Sequence, residues 1–212
     1  MVNILTQTLI SDRLSAAGVS GPLNIAGLAG YVDLLVKWNK KINLTSLDID
    51  PLTDAAIDRL IVEPVIASGF VPRPDLSVID LGSGGGSPAI PFKLQITDST
   101  IRLVESRSRK CAFLREAVRH LGLDRANVEE SRFELLNQRR HLAHSADLVT
   151  IRAVRVDDDL VDLVRWLLSP GGLIFRFATS GDTALPSCLR ITDSHPLISG
   201  VESELQIIRF IS

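Results

Sequence analysis

The fold of this 212-residue chain is decided by the stretch Val78-Ile79-Asp80-Leu81-Gly82-Ser83-Gly84-Gly85-Gly86-Ser87-Pro88. A short apolar run that ends in an acid and then meets four glycines in five positions is typical of a buried strand entering a tight turn. Glycine tolerates a positive φ and lets a ligand lie against the backbone, so this turn is predicted to be a cofactor loop. Ser87 as an N-cap and Pro88 at the first helical position predict a helix directly after it.

Strand and helix patterns alternate after a proline-containing loop at residues 69–75. Such alternation predicts parallel strands joined by right-handed crossovers, in an open α/β sheet with helices on both faces. The last two predicted strands have no helical pattern between them, so we expect an antiparallel C-terminal hairpin at one edge of a seven-stranded sheet. The predicted strands are 77–81, 101–105, 128–131, 148–151, 173–178, 189–191 and 205–211, and the predicted helices are 88–95, 107–121, 133–142 and 157–167.

The first 70 residues follow helical spacing instead. Three helices are predicted there, the third from Leu52 to about Ala67, with Asp50 as its cap and Pro51 as its first residue. We therefore expect an N-terminal helical extension over residues 1–72 and a second unit over residues 73–212, packed together as one compact body.

The composition is ordinary for a globular α/β chain, with 45% hydrophobic residues, 23% charged residues and a mean hydropathy of +0.22. There is no apolar run of membrane-spanning length and no basic segment before the first apolar residues, which predicts a cytoplasmic protein that makes no membrane contact. Two cysteines and four histidines occur in no metal-ligand spacing, so no metal site is predicted. We expect a monomer.

Charge is unevenly distributed along the chain. The formal net charge is −2, yet residues 102–155 carry 12 Lys and Arg against 7 Asp and Glu. A basic middle third between acidic flanks is what a stripe for a polyanion would produce, although solvated helix faces would give the same count.

A second acid follows the glycine loop at the end of the next predicted strand. Glu105 lies about 20 residues after the glycines, where a carboxylate can accept hydrogen bonds from both hydroxyls of a ribose. Two cofactor classes use this arrangement, dinucleotides and S-adenosylmethionine. The glycine spacing 82, 84, 86 departs from the dinucleotide pattern, and Asp80 suits a cofactor with a cationic amino group, so S-adenosylmethionine is favoured.

Four segments carry a resemblance to a known family. They are Trp38-Asn39-Lys40-Lys41-Ile42-Asn43-Leu44-Thr45, Asp80-Leu81-Gly82-Ser83-Gly84-Gly85-Gly86-Ser87-Pro88-Ala89-Ile90-Pro91, Arg109-Lys110-Cys111-Ala112-Phe113-Leu114 and Ile151-Arg152-Ala153. In this order and spacing they resemble the RsmG family, also called glucose-inhibited division protein B. The resemblance implies a Rossmann-like class I S-adenosylmethionine-dependent methyltransferase. Its expected reaction is methylation of guanine N7 in 16S ribosomal RNA, with that RNA or the small ribosomal subunit as partner.

The resemblance also implies a set of site residues at the carboxyl ends of the strands. Phe133 and Glu134 would enclose the adenine, and Arg152 would lie beside the cofactor and the target base. The expected cofactor-binding residues are Asp80, Gly82, Ser83, Gly84, Gly86, Ser87, Glu105, Phe133, Glu134 and Arg152. The candidate RNA-binding residues are Asn39, Lys40, Lys41, Arg107, Arg109, Lys110, Arg132 and Arg155, and strong salt dependence of binding is expected from them.

The expected chemistry needs few catalytic groups. Guanine N7 carries a lone pair and no proton, so its attack on a sulfonium methyl group requires alignment and no general base. Arg152 is therefore expected to orient the base through guanine O6 or a nearby phosphate, and not to act as an acid.

The chain also departs from the usual pattern of this family. Arg59-Leu60-Ile61-Val62-Glu63-Pro64 stands where Arg-His-x-x-Asp-Ser is common, Ser180-Gly181 replaces a lysine before glycine, and Ala89 replaces a glycine. The alternatives are a related methyltransferase for another RNA or a small molecule, an NAD-dependent oxidoreductase, and a non-catalytic RNA-binding module. The glycine spacing disfavours the oxidoreductase, and a non-catalytic module leaves the glycine loop unexplained.

Overall fold

A computed structural model describes residues 3–211 of the chain. Its elements are α1 (Ile4–Ala16), α2 (Ile25–Asn39), α3 (Asp54–Ile57), a π-helical turn (Asp58–Val62), α4 (Glu63–Ser68), β1 (Ser77–Leu81), α5 (Ala89–Gln95), β2 (Thr100–Glu105), α6 (Ser108–His120), β3 (Ala126–Glu130), two 3-10 turns (Phe133–Gln138 and Arg140–Leu142), β4 (Ala146–Arg152), α7 (Asp158–Leu167), β5 (Leu168–Ala178), β6 (Leu189–Pro196) and β7 (Glu204–Phe210).

The seven strands form one sheet in the order β3-β2-β1-β4-β5-β7-β6. The five strands β1 to β5 run parallel, and β7 pairs antiparallel with both β5 and β6. Strand order reverses at β1, since β2 lies on one side of it and β4 on the other. The predicted α/β sheet with a C-terminal antiparallel hairpin is confirmed, and the reversal places the glycine loop where open sheets bind ligands.

The N-terminal helices pack against α5 and α6. Asn3 caps α1, because its side-chain oxygen accepts a hydrogen bond from the Leu5 amide at 3.0 Å. Buried side chains of α1 and α2, such as Ile10 and Leu35, belong to the same hydrophobic cluster as Phe92 of α5 and Phe175 of β5. The helical region thus shares a core with the sheet that carries the glycine loop.

Three local predictions were wrong. The third helical run starts at Asp54, not at Leu52, because the Thr53 hydroxyl caps it and Asp50-Pro51 lies outside it. Residues 133–142 form two 3-10 turns instead of a helix, since Arg139 with ψ of 75° interrupts the helical backbone. Ser87 and Pro88 do not start α5 as predicted, because the Ser87 hydroxyl donates to the carbonyl of Leu60 at 2.9 Å and Pro88 is the N-cap, one residue before the first helical position.

Over residues 3–211, no helix has the length and apolar character needed to cross a membrane.

Candidate active site

The glycine loop is held by its own backbone and by β2. The amides of Gly82 and Ser83 both donate to the carbonyl of Val104, at 3.0 and 2.9 Å. Gly82, Gly84 and Gly86 have φ values of 75°, 53° and 90°, which disfavour any residue with a Cβ. The chain therefore reverses sharply at the end of β1 and keeps its peptide planes against the neighbouring strand.

Glu105, at the end of β2, joins this loop to the start of α6. Its Oε2 accepts from the amide of Gly84 at 3.0 Å, and its Oε1 accepts from the amides of Ser106 and Arg107, each at 2.8 Å. A carboxylate oxygen has further lone pairs, so these bonds fix the side chain without exhausting its capacity to accept.

Asp80 lies beneath the loop and is 1% exposed. Its Oδ1 accepts from the hydroxyl of Thr150 at 2.6 Å, whereas its Oδ2 is buried and has no hydrogen-bond partner among the described residues. Burial raises the pKa of Asp80, and the hydrogen bond from Thr150 together with the charge of Arg152 opposes that rise. An unpartnered carboxylate oxygen here is a position where a cationic donor would be stabilised.

Two adjoining cavities meet at Gly82 on this edge of the sheet. We call the first the strand-side lobe; its volume is about 240 Å³, and its lining comes from the loop and the ends of β2 and β3. It is lined by Gly82, Val104, Glu105, Ser106, Ser131, Arg132, Phe133 and Glu134. The predicted ribose and adenine contacts, Glu105, Phe133 and Glu134, thus lie together in one cavity.

The second cavity, the helix-side lobe, has a volume of about 320 Å³. It lies between the glycine loop, the segment after α2 and the π-helical turn. It is lined by Leu44, Thr45, Ser46, Leu47, Arg59, Leu60, Gly82, Ser83, Gly84, Gly85, Ser87, Arg152 and Ala153. The ionisable side chains in this lining are two arginines, and the remaining side chains are aliphatic groups and hydroxyls.

Arg152 is held in the wall of the helix-side lobe by partners from distant parts of the chain. Its Nη2 donates to Glu63 Oε2 at 2.7 Å, and its Nη1 donates to the Arg59 carbonyl at 2.6 Å and to Ser87 Oγ at 3.2 Å. The guanidinium also lies 4.1 Å from the ring centroid of Phe177. Burial lowers the pKa of Arg152 to about 10, although Glu63 favours its charged form, so it is a cation at neutral pH.

Other predicted cofactor residues have structural roles in this geometry. Ser83 is buried and its hydroxyl donates to the carbonyl of Asp80 at 3.1 Å. A Cβ on Gly86 would lie 2.6 Å from Ile90 Cδ1, so this glycine is needed for packing against α5, whereas ligand access was the predicted reason. The Gly85 carbonyl accepts from the buried hydroxyl of Tyr31 at 2.7 Å, a contact that the sequence did not predict.

The predicted RNA-binding residues come from four separate segments of the chain. Arg107, Arg109 and Lys110 lie at the start of α6, and the Lys110 ammonium group lies close to Gly84. Arg132 and Arg155 are exposed near the two lobes.

Three further candidates lie at the end of α2. Lys41 is exposed, and Lys40 forms an exposed ion pair with Asp50 at 2.8 Å. The Asn39 side-chain oxygen accepts from the amides of Leu44 and Thr45, at 2.8 and 3.1 Å, so it shapes the wall of the helix-side lobe.

Sequence reasoning missed Arg59, Glu63 and the segment 44–47 as parts of this site. Arg59 and Glu63 are four residues apart, a spacing that puts both on one side of a helix and could have indicated their ion pair. Glu63 is 2% exposed and accepts from both Arg59 and Arg152.

Comparison with known proteins agrees with this geometry. A family model described as GidB, rRNA small subunit methyltransferase G, matches residues 24–185. The chain is 35% identical over 191 residues to ribosomal RNA small subunit methyltransferase G of Xanthomonas campestris pv. campestris (strain B100), covering 86% of this chain and 84% of that protein. It is 35% identical over 215 residues to the protein of the same name from Stenotrophomonas maltophilia (strain R551-3), covering 96% of this chain and 92% of that protein.

Solved structures agree on the fold. A crystal structure of a SAM-dependent methyltransferase from Aquifex aeolicus superposes with a TM-score of 0.57 at 12% identity, covering 72% of this chain and 92% of that one. Since the family model spans most of the chain and the curated relatives match nearly their whole length, the chain belongs to the GidB family of rRNA small subunit methyltransferase G proteins.

Proposed function

We propose that this protein transfers a methyl group from S-adenosylmethionine to N7 of a guanine in 16S ribosomal RNA. The observation that carries this proposal is the lining of the helix-side lobe, whose ionisable side chains are Arg59 and Arg152. A guanidinium group that is already a cation cannot take up a proton, so the lining suits an acceptor atom that has none to lose. Guanine N7 is such an atom. The names of the curated relatives supply the RNA class.

The residues present fit S-adenosylmethionine. Glu105 would accept from the ribose hydroxyls and Phe133 and Glu134 would flank the adenine, because all three line the strand-side lobe. The unpartnered Oδ2 of Asp80 matches the cationic amino group at the other end of the cofactor. When bound, S-adenosylmethionine supplies a methyl group on a positively charged sulfur. Gly82 lines both lobes, so the reacting methyl group belongs near this residue.

Arg152 is proposed to orient the base and the cofactor indirectly, by holding the wall of the helix-side lobe in place. It fixes the Glu63 carboxylate, the Arg59 carbonyl and the Ser87 hydroxyl relative to the end of β4. Catalysis in this site is then a matter of alignment between the acceptor atom and the methyl group.

The basic residues near the lobes are proposed to bind the phosphate backbone of the substrate. Arg107, Arg109 and Lys110 lie at the start of α6, with Lys110 close to Gly84, while Arg132 lines the strand-side lobe and Arg155 is exposed after the end of β4. Lysine and arginine contacts to phosphates position RNA and make its affinity strongly dependent on salt. Lys40, Lys41 and Asn39 are proposed as a second contact on the other side of the helix-side lobe.

We further propose that the protein acts as a monomer in the cytoplasm, the compartment in which its ribosomal substrate is found. Residues 1–72 and 73–212 would work as one unit, since the helical region supplies one wall of the helix-side lobe.

The test is methyl transfer followed by mapping. Purified full-length protein is incubated with radiolabelled S-adenosylmethionine and either protein-free 16S rRNA or assembled small subunits. Labelled RNA is then reduced with borohydride and cleaved with aniline, which breaks the chain at N7-methylguanine. Label together with one cleavage site is the expected result. Label without cleavage would overturn the N7 assignment, and absence of label from both RNA substrates would overturn the proposal.

A further inference from the structure

The π-helical turn Asp58–Val62 attaches the N-terminal helical region to the reaction edge of the sheet. A π-turn bonds each amide to a carbonyl five residues back, so it alters the ordinary α-helical pairing over that turn. Here the Arg59 carbonyl accepts from Arg152 Nη1 at 2.6 Å, and the Leu60 carbonyl accepts from Ser87 Oγ at 2.9 Å. Two successive carbonyls of the turn therefore join β4 and the glycine loop.

The same turn sets the direction of the Arg59 side chain. Glu63 accepts from Arg59 Nη1 at 3.1 Å and from Arg152 Nη2 at 2.7 Å, with both bonds made by the same oxygen, Oε2. One buried carboxylate thus fixes two guanidinium groups on one wall of the lobe. The bond from Nη1 to Glu63 positions the Arg59 guanidinium group. The N–H groups that do not bond Glu63 stay available to donate to another acceptor.

The two arginines differ in accessibility. The Arg152 side chain is 10% exposed and is bonded to Glu63, Arg59 and Ser87, whereas the Arg59 side chain is 37% exposed. Both line the helix-side lobe. Arg59 is therefore the cation that an entering base can reach, and Arg152 supports it from behind.

We propose that Arg59 is the residue that recognises the acceptor base, by donating a hydrogen bond to guanine O6. This inference rests on the proposed function. The major-groove edge of guanine presents two acceptors, O6 and N7, and N7 must stay free to attack the methyl group. O6 is then the acceptor left for a positioned donor. Adenine carries an amino group at the same place, which cannot accept from Arg59, so the contact selects guanine.

The rest of the lobe suits a planar base. Leu44 and Leu47 supply aliphatic surface, and the Gly84 and Gly85 backbone carries no side chain there. Methylation at N7 makes the base cationic, which places a positive charge beside Arg59 in the product. Like charges repel at this distance, so the contact that selects the substrate also weakens product binding.

The test compares two versions of the substrate that differ at O6 and, as a consequence, in the hydrogen on N1. Small-subunit RNA is assembled by ligation with either guanine or 2-aminopurine at the mapped target; 2-aminopurine retains N7 and lacks O6. Wild-type protein is expected to methylate the guanine RNA about tenfold to a hundredfold better in kcat/KM, the range for one good base contact. In Arg59→Ala this ratio is expected to fall to near one, while the Kd for S-adenosylhomocysteine stays within about twofold.

Two further variants separate recognition from structure. Arg59→Lys keeps a cation that can pair with Glu63, so it should retain the urea midpoint of the wild type. It should lose most of the preference for guanine RNA over 2-aminopurine RNA, because the lysine ammonium group lies at a different position from the guanidinium. Arg119→Ala removes an exposed arginine of α6 that pairs with Glu116, and should leave the ratio unchanged. If Arg59→Ala keeps the full preference for guanine RNA over 2-aminopurine RNA, this inference is overturned and the proposed function is not. A wild-type protein that methylates neither RNA would overturn the proposed function and this inference with it.

Discussion

Replacing Glu63 by alanine should destabilise the fold strongly, because its buried carboxylate pairs with two guanidinium groups. Glu63 is 2% exposed and accepts from Arg59 and Arg152. Without it, the Arg152 guanidinium keeps only neutral acceptors, the Arg59 carbonyl and the Ser87 hydroxyl, while its side chain remains 10% exposed. Removing one partner of a buried ion pair typically costs about 3–5 kcal/mol.

Urea unfolding monitored by circular dichroism measures this loss. With an m-value of about 2–3 kcal/mol/M, a loss of about 4 kcal/mol lowers the midpoint by about 1–2 M. The matched control is Glu116→Ala, which breaks the exposed pair with Arg119 and should cost less than about 1 kcal/mol. The double variant Glu63→Leu with Arg152→Met should recover most of the loss, since neither charge is then buried. A Glu63→Ala midpoint equal to that of wild type, or a double variant weaker than Glu63→Ala, would refute the ion-pair reasoning.

Three further perturbations have defined outcomes. Because burial raises the pKa of Asp80, S-adenosylhomocysteine should bind more weakly as the pH falls through that raised pKa, by about tenfold per pH unit in titration calorimetry, and Asp80→Asn should lack this dependence. Glu105→Gln places an amide donor against the Gly84 amide, so the same titration should show a Kd about tenfold to a hundredfold higher, and an unchanged Kd would exclude Glu105 from the cofactor site. In Gly86→Ala the new residue would have to adopt a φ of 90° and its Cβ would lie 2.6 Å from Ile90 Cδ1, so the free energy of unfolding in urea should fall by about 2–3 kcal/mol. The control Gly122→Ala should lose about 1 kcal/mol, because its Cβ meets open space at a φ of 59°.

The sheet and the glycine loop were predictable because their signals are local. Asp80 and Gly82 lie within one strand and turn. The alternation of strands with helices predicted that β1 to β5 run parallel. Glu105 could be assigned from its distance to the glycines because parallel strands end at the same edge. Gly82 and Glu105 of the strand-side lobe therefore followed from these patterns, whereas Arg132, Phe133 and Glu134 were proposed only from the resemblance to the family.

The helix-side lobe could not be predicted in the same way. It depends on the contact between Glu63 and Arg152, which are 89 residues apart, and on a π-helical turn that has no distinctive residue pattern. The error at residues 133–142 has a related cause. Their apolar residues, such as Leu136 and Leu142, are spaced well enough for a helix, but Arg139 adopts a non-helical backbone and separates two 3-10 turns.

Charge balance explains why Glu63 and Arg152 belong together in a methyltransferase site. The proposed donor is cationic before transfer and the methylated base is cationic afterwards, so two unpaired arginines would oppose both states. Glu63 offsets one of them, and Asp80, beneath the glycine loop, has a buried carboxylate oxygen with no hydrogen-bond partner among the described residues. Arg59 then keeps enough positive character to attract guanine O6 without filling the lobe with net positive charge. The segment Arg59–Pro64 departs from the usual pattern of the family, but Glu63 still supplies a carboxylate where that pattern has an aspartate. The carboxylate is thus kept at the position where the reaction needs one.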